Sequence, residues 1–193
     1  MDMFGFPQET AAESAATDLC YDAFEVTEIA VKMELANKAL SLDPLCVQAW
    51  GILGHCYRQA ETLDLSQALH CCNKAIQSAK PCIRDLDKLE WGCHEVRPYL
   101  RAMKTRIDVL ADLGRTEELI ALGEEMLRLC PADNLQVRYQ LISHYFFRNS
   151  MRDVRRIVNI YDAREKENEY STIELTYKMK SLVTDKQQGA VLC

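Results

Sequence analysis

The residues of this chain best suited to chemistry are the adjacent Cys93 and His94, together with three further histidines: His55, His70 and His144. A thiol beside an imidazole is the pairing that activates a nucleophilic cysteine. Neighbouring residues on a helix point about 100° apart, so Cys93 and His94 are not expected to face each other. The chain also has no C-x2–4-C or H-x3–5-H spacing for zinc, no Gly-rich phosphate loop and no G-x-S-x-G motif. The pattern favours a protein that is not an enzyme and has no metal or other cofactor.

The nine cysteines do not form a disulfide pattern. Their number is odd, and the first residues lack the basic and apolar regions of a secretory signal. We therefore expect reduced cysteines that serve mainly as small buried side chains. No apolar run approaches the ~20 residues that span a bilayer, so no membrane insertion is expected. These features predict a cytoplasmic or nuclear protein.

The charge balance argues against nucleic acid as the main partner. The formal net charge is -6, whereas nucleic-acid-binding domains usually carry a basic surface. The main basic cluster consists of Arg148, Arg152, Arg155 and Arg156. It lacks interleaved aromatic residues for base stacking and would equally complement the carboxyl end of its own helix.

The elements that must position any site are helices. Hydrophobic residues make up 48% of the chain, with only 7 Gly and 5 Pro, which favours an all-α fold. In the stretch 36–57, Asp43-Pro44 ends one helix, because the residue before proline is displaced from the α region. The next helix carries one stripe of residues at helical spacing: Trp50, Leu53, Gly54 and Tyr57. A glycine in such a stripe predicts a close approach by a neighbouring helix.

This W-x2-L-G-x2-Y pattern resembles the tetratricopeptide repeat family. The resemblance covers about residues 15–162 and implies an α-α superhelix, a solenoid of about four helix pairs plus a C-terminal helix. Within the class, residues 97–115 and 125–139 are similar to bacterial repeat proteins and to the repeat region of the eukaryotic suppressor-of-tumorigenicity family. The third and fourth units depart from the pattern, since they lack the Trp and Tyr, and Gly123 stands where an aromatic residue is usual.

The predicted organisation has three parts: a flexible N-terminus at 1–8, a repeat domain at 9–162 with an insertion at 82–96, and a capping helix and tail at 163–193. The last part begins within a loop predicted at 162–168, and its helix is predicted at 172–183. The predicted repeat helices cover 11–24, 27–42, 45–60, 65–79, 97–113, 116–130, 134–147 and 151–161. Thr116 is predicted as an N-cap and Gly114 as a helix terminator. Insertions in repeat arrays often lie on the binding face.

The resemblance also implies a concave groove lined by the first helix of each pair. The inward positions would be Gln48, Gly51, His55 and Arg58; then Arg101, Lys104, Asp108 and Ala111; then Leu135, Arg138, Ile142 and Tyr145. Among these, the predicted groove residues that bind a partner are Arg58, Arg101, Lys104, Arg138, Tyr145 and His55. A cationic groove would attract an acidic peptide or a C-terminal carboxylate. The alternative, a solvated helix face making i,i+4 ion pairs, stays open. The family's chaperone-tail clamp is not reproduced, because Gly51 and His55 occupy its Lys and Asn positions.

These observations predict a protein-interaction scaffold whose partner is a protein or peptide. Two alternatives remain open. One is a helical regulatory domain of a larger enzyme complex, and the other is an RNA-associated helical repeat protein.

Overall fold

The described residues of this computed structural model, 9–60, 63–79, 83 and 87–165, contain α-helices and no β-strand. The eight α-helices of these ranges are α1 (Ala11–Glu25), α2 (Ile29–Leu42), α3 (Val47–Gln59), α4 (Leu65–Ser78), α5 (Arg97–Asp112), α6 (Thr116–Leu129), α7 (Val137–Phe147) and α8 (Met151–Glu165). A 3₁₀ turn at His94–Val96 precedes α5. The all-α prediction is confirmed over these ranges. The predicted flexible terminus at 1–8 and the predicted helix at 172–183 lie outside them.

Local signals in the sequence explain several helix ends. Thr10 caps α1 by accepting from the backbone N–H of Glu13 at 3.2 Å, and the Glu13 carboxylate accepts from the Thr10 N–H at 2.7 Å. Pro98 lies in the first turn of α5, where its missing N–H has no helical partner to lose. Gly114 follows α5 with φ +68°, as predicted for a helix terminator.

Three predicted boundaries are wrong. Thr116 is the first residue of α6 rather than its N-cap; Arg115 holds that position, and its guanidinium pairs with Glu118. The fourth unit begins its helix at Val137 rather than at residue 134, because Asp133 adopts φ +49° and accepts the Val137 N–H at 2.7 Å. The predicted loop at 162–168 is helical as far as Glu165, the last residue that the structure describes.

The chain divides into two compact units, Met1–Val137 and Arg138–Cys193. In the first unit each helix packs against its neighbour in sequence: α1 on α2, α2 on α3, α3 on α4, α4 on α5, and α5 on α6. In addition, α1 and α5 both pack against α3, which places α3 at the centre of this unit. None of the helices in the described ranges is both long and apolar enough to cross a bilayer.

The core of the first unit is built from small side chains around α1–α4 and larger ones in α5. Fully buried alanines occupy the contacts among the early helices: Ala16, Ala23, Ala36, Ala39, Ala49, Ala68 and Ala75. In α5 the buried residues include Leu100, Met103, Ile107 and Leu110. Six of the seven described free cysteines are also buried, as predicted for small hydrophobic side chains. Small residues let helix backbones approach closely, so α1–α4 are tightly packed.

The second unit is described as far as residue 165. Its buried side chains are Leu141, Ile142, Val154, Ile157 and Tyr161, which come from α7 and α8. Arg138 connects the two helices, because its guanidinium lies 5.0 Å from the ring centroid of Tyr161.

Asp64 is expected to contribute to stability as the N-cap of α4. Its Oδ1 accepts from the backbone N–H of Gln67 at 2.9 Å. Replacement by alanine removes this acceptor and should lower the free energy of unfolding by about 1 kcal/mol, whereas Asp64→Asn should retain most of it. Urea denaturation of the two variants checks the prediction. Equal midpoints for Asp64→Ala and the unchanged protein would contradict it.

Candidate functional site

A cavity of about 310 Å³ opens in the first unit between α1, α2, α3 and α5. Its lining residues are Ala23, Phe24, Lys32, Gln48, Gly51, Ile52, His55, Cys56, Pro98, Arg101, Lys104, Thr105, Asp108 and Leu135. Apolar side chains come from α1 and α3, and most of the charged ones come from α5. Ligand pockets generally enclose about 300–1,000 Å³, so this cavity suits a small group or one or two side chains of a peptide.

The structure brings together part of the predicted groove. His55, Arg101 and Lys104 line the cavity, and so do four other residues at predicted inward positions: Gln48, Gly51, Asp108 and Leu135. Arg58 is not part of the lining. Arg138 and Tyr145 belong to the second unit, where Arg138 lies over the ring of Tyr139 at 4.5 Å as well as that of Tyr161. The cavity residues share one face of α3 and one face of α5, which is what the helical spacing predicts.

Arg101 is held by aromatic rings. Its guanidinium carbon lies 5.5 Å from the ring centroid of Phe24 and 5.5 Å from that of Trp91. A guanidinium that stacks on aromatic faces keeps its N–H groups in the plane of the group, where they remain able to bind a carboxylate. Among the described residues Arg101 forms no ion pair, and its side chain is exposed to solvent. Arg101 is therefore a pre-positioned cation at the cavity wall.

Trp91 was not among the predicted site residues, although it lies in the predicted insertion at 82–96. The segment is anchored to the first unit by a backbone hydrogen bond from the N–H of Leu89 to the carbonyl of Leu129, at 2.6 Å. Arg97 also fixes Trp91, because its Nε donates to the Trp91 carbonyl at 2.8 Å and its guanidinium lies 5.4 Å from the ring centroid. The sequence feature that could have drawn attention to Trp91 is the spacing of Arg97 and Arg101. These residues lie four positions apart on one face of α5, and both contact the Trp91 ring.

Two of the predicted cations are paired with carboxylates of α5. Lys104 Nζ lies 2.6 Å from Asp108, an i,i+4 pair within the helix. Arg58 reaches across from α3 to Asp112 at 2.5 Å and to Asp108 at 3.9 Å. The i,i+4 pairing left open as an alternative is what the structure shows for Lys104, whereas Arg58 pairs between two helices. Sequence spacing within α3 could not reveal these partners of Arg58, because Asp108 and Asp112 lie on another helix.

The cavity nevertheless keeps an excess of positive charge. Three of its lining side chains are cationic, Lys32, Arg101 and Lys104, and one is anionic, Asp108. In the described residues Lys32 forms no ion pair and is half-buried. Charges of one sign in a partly enclosed cleft attract the opposite charge more strongly than the same charges on an open surface. The cavity is therefore complementary to an anionic group flanked by apolar surface.

His55 does not add to this charge at neutral pH. Desolvation at the cavity wall lowers the pKa of the imidazole, and the positive charges of Lys32 and Arg58 lower it further. The neutral ring can accept or donate a hydrogen bond. It becomes an imidazolium cation, in addition to the lysines and the arginine, only on acidification.

Acidification is expected to tighten the binding of an anionic ligand through His55. An anion beside the ring favours the imidazolium, so binding takes up a proton and the affinity rises as the pH falls. Between about pH 7.5 and 5.5 we expect a severalfold gain, since ligand carboxylates stay ionised in this range. Fluorescence anisotropy with a labelled acidic peptide measures it. In His55→Gln the pH dependence should be nearly flat, and an unchanged pH dependence in that variant would refute the role of His55.

Gln48 contributes an unsatisfied donor. Its Nε2 is buried and has no hydrogen-bond partner among the described residues. An unpaired buried donor costs roughly 1–3 kcal/mol, and a rotation of the Gln48 side chain that brings Nε2 to a ligand carbonyl or carboxylate in the cavity would recover it. Gln48 was assigned to an inward position from the sequence, but its lack of a partner depends on the packing around it.

Cys93, the candidate nucleophile of the sequence, has a carboxylate as its hydrogen-bond partner. The thiol of Cys93 donates to the Glu95 carboxylate at 2.9 Å, and burial together with that carboxylate raises its pKa. A protonated thiol is a weak nucleophile. In the part of the chain that the structure describes, no three His, Cys, Asp or Glu side chains are grouped as metal ligands. That the protein has no cofactor stays a prediction.

No known protein-family model and no curated protein matches this chain. The resemblance to tetratricopeptide repeats therefore stays a prediction based on residues 36–57 and on the spacing of the later units.

Proposed function

We propose that this chain is a non-enzymatic protein-interaction scaffold, whose cavity between α1, α2, α3 and α5 binds an acidic segment of a partner protein. The observation that carries the proposal is the pairing of excess positive charge with an apolar wall in one 310 Å³ cavity. Arg101, restrained by cation–π contacts with two rings, provides a guanidinium for a carboxylate, and a restrained side chain loses less conformational entropy on binding.

The apolar part of the wall favours a peptide over a free anion. Phe24 and Ile52 line the cavity beside the charged residues. A partner segment that combines Asp or Glu with a neighbouring apolar side chain would use both surfaces, and a rotated Gln48 side chain would donate from Nε2 to a carbonyl of its backbone. We expect affinity to decrease as salt is added, because the cations at the cavity rim are screened.

The repeat architecture is part of the same proposal. In it, α1/α2, α3/α4 and α5/α6 are three successive helix pairs of an α-α superhelix, and α3 and α5 are the first helices that line the groove. This is supported by the packing of α3 against both α2 and α5, as expected when neighbouring pairs stack. The proposed setting is the cytoplasm or nucleus, where an acidic peptide would be presented by another protein.

A peptide array on the full chain tests the proposal. Arrayed peptides of equal length would carry an acidic–apolar, an acidic–polar or a basic–apolar sequence, and single-stranded oligouridine would be added as a competitor. We expect preferential binding of the acidic–apolar peptides that weakens with salt. Equal binding of basic peptides would contradict the charge argument, and displacement by the RNA at equal concentration would indicate an RNA-binding surface instead.

A further inference from the structure

Two cysteine side chains lie in contact inside the first unit. Cys20 belongs to α1, Cys46 immediately precedes α3, and their sulfur atoms are 3.8 Å apart. Cys20 is fully buried and Cys46 is 7% exposed. A disulfide bond requires roughly 2.05 Å between the sulfurs, so each would move by about 1 Å. The two sulfurs are thus within about 2 Å of bonding distance.

The two sulfurs have different environments. Cys46 is the N-cap residue of α3. The pKa of its thiol is lowered chiefly by its contact with the Cys20 thiol, and further by the backbone N–H groups of Ala49 and Gln48. The same contact, together with burial, raises the pKa of Cys20. Because a helix N-terminus stabilises a thiolate, Cys46 is the better nucleophile of the two, and Cys20 is the thiol beside it.

The remaining buried cysteines differ from this pair. Desolvation raises the pKa of the Cys56, Cys71, Cys72 and Cys130 thiols. A neutral thiol reacts slowly with oxidants because the thiolate is the reactive form. Cys71 and Cys72 are adjacent in α4, where consecutive side chains diverge. The contact between Cys20 and Cys46 is therefore distinctive among the described cysteines.

We propose that Cys20 and Cys46 form a redox pair, which hydrogen peroxide converts to a disulfide bond between α1 and the start of α3. The Cys46 thiolate attacks one oxygen of the peroxide, the O–O bond breaks, and hydroxide leaves and is protonated to water. Cys46 is then a sulfenic acid. The Cys20 sulfur attacks the Cys46 sulfur, a second water leaves, and the S–S bond forms. Two thiols have lost two electrons in total, and one peroxide has become two waters.

The bond would connect two walls of the cavity. Phe24 follows Cys20 by one turn of α1, and Gln48 lies two residues after Cys46. Tying α1 to the start of α3 would restrict the position of Phe24, on which Arg101 stacks. The oxidation itself depends only on the cysteine pair, so it can be tested without a ligand.

Peptide mapping of the oxidised full chain tests the proposal. The reduced protein is treated with one equivalent of hydrogen peroxide, alkylated, and digested with trypsin without reducing agent. Lys32 and Lys38 separate the two cysteines, so the expected product is residues 1–32 joined to residues 39–58, and dithiothreitol should release it. Because residues 39–58 also contain Cys56, fragmentation of the product must place the bond at Cys46.

Three variants complete the test. Cys20→Ser and Cys46→Ser should both abolish the linked product, whereas Cys56→Ser, the matched control, should retain it. Cys46→Ser should also slow the loss of the Cys20 thiol by about tenfold or more, because the attacking thiolate is gone. The unmutated protein decides the matter even if a variant does not fold. Full alkylation of Cys20 and Cys46 after peroxide, or a bond at Cys56, would overturn the proposal.

Discussion

Reversing two cations of the cavity wall, by Arg101→Glu together with Lys104→Glu, is expected to weaken binding of acidic peptides by about a hundredfold or more. Each tenfold loss corresponds to about 1.4 kcal/mol, and replacing attraction by like-charge repulsion at two contacts costs at least that much per contact. Arg101 carries the larger share, because it forms no ion pair among the described residues and is already stacked on Phe24 and Trp91.

The matched control places the same charge change elsewhere on the first unit. Lys74→Glu with Arg128→Glu reverses two exposed cations of α4 and α6 that do not line the cavity. Isothermal titration of each double variant with an acidic–apolar peptide should show near-normal affinity in the control. If both double variants lose affinity equally, the effect comes from net charge, and the cavity is not the site. Circular dichroism verifies that both variants are folded.

The Lys104 substitution has a second consequence. It exchanges the Lys104–Asp108 pair for two neighbouring carboxylates, while Arg58 remains beside Asp108 and Asp112. Partly exposed ion pairs contribute roughly 0–1 kcal/mol, so the loss of stability should be small. The single variant Arg101→Glu avoids this change and separates binding from stability.

A single added methyl group at Gly54 is expected to destabilise the first unit by about 1–3 kcal/mol. A Cβ at this position would lie 2.8 Å from the Cys72 sulfur and 3.3 Å from the Ala68 carbonyl oxygen, both in α4. The first distance is far inside van der Waals contact, so α3 and α4 would have to separate. This cost outweighs the roughly 1 kcal/mol by which alanine is the better helix former.

Gly51, one turn earlier in α3, provides the control. The nearest atom to a Cβ built there is the Ala102 Cβ at 4.0 Å, an ordinary contact. Gly51→Ala should therefore stabilise the protein by about 0.5–1 kcal/mol through helix propensity alone. Urea denaturation of both variants measures whether each substitution raises or lowers the free energy of unfolding. Gly54→Ala as stable as the unchanged protein would show that the α3–α4 contact tolerates a methyl group.

The double variant Gly54→Ala/Cys72→Ala identifies the clashing atom. Removing the Cys72 sulfur should reduce the penalty of the added Cβ, so the double variant should be more stable than the two single changes predict by addition. If the effects of the two changes on stability are simply additive, the cost of the added Cβ comes from its contact with the Ala68 carbonyl oxygen instead.

At Gly54 and Arg101 the sequence predicted the local feature but did not identify the residues that contact it. Glycine within a stripe of large residues at helical spacing predicts a close helix contact, and the structure confirms that contact. Its partner is Cys72, fifteen residues beyond Tyr57, which no local pattern identifies. Arg101 was assigned to an inward face by the repeat resemblance, whereas its contacts with the Phe24 and Trp91 rings join residues from three separate parts of the chain.

The ion pairs of Arg58 and Lys104 show the same difference between contacts within one helix and contacts between helices. The repeat resemblance predicted Arg58 and Lys104 as cations of one groove. The Lys104–Asp108 pair could have been anticipated, since i,i+4 neighbours meet on a helix. The Arg58–Asp112 contact could not, because it depends on how α3 crosses α5.

What the sequence determined by itself is local: the all-helical class, most helix ends, the terminating glycine Gly114, and the faces on which Gln48, His55, Arg101 and Lys104 lie. These follow from helical periodicity and from capping and proline rules that act within a few residues. Only the tertiary structure decided which cations are paired, which rings hold Arg101, and that Cys20 meets Cys46. Those contacts join residues far apart in the chain, and their geometry is set by the packing of whole helices rather than by any short pattern.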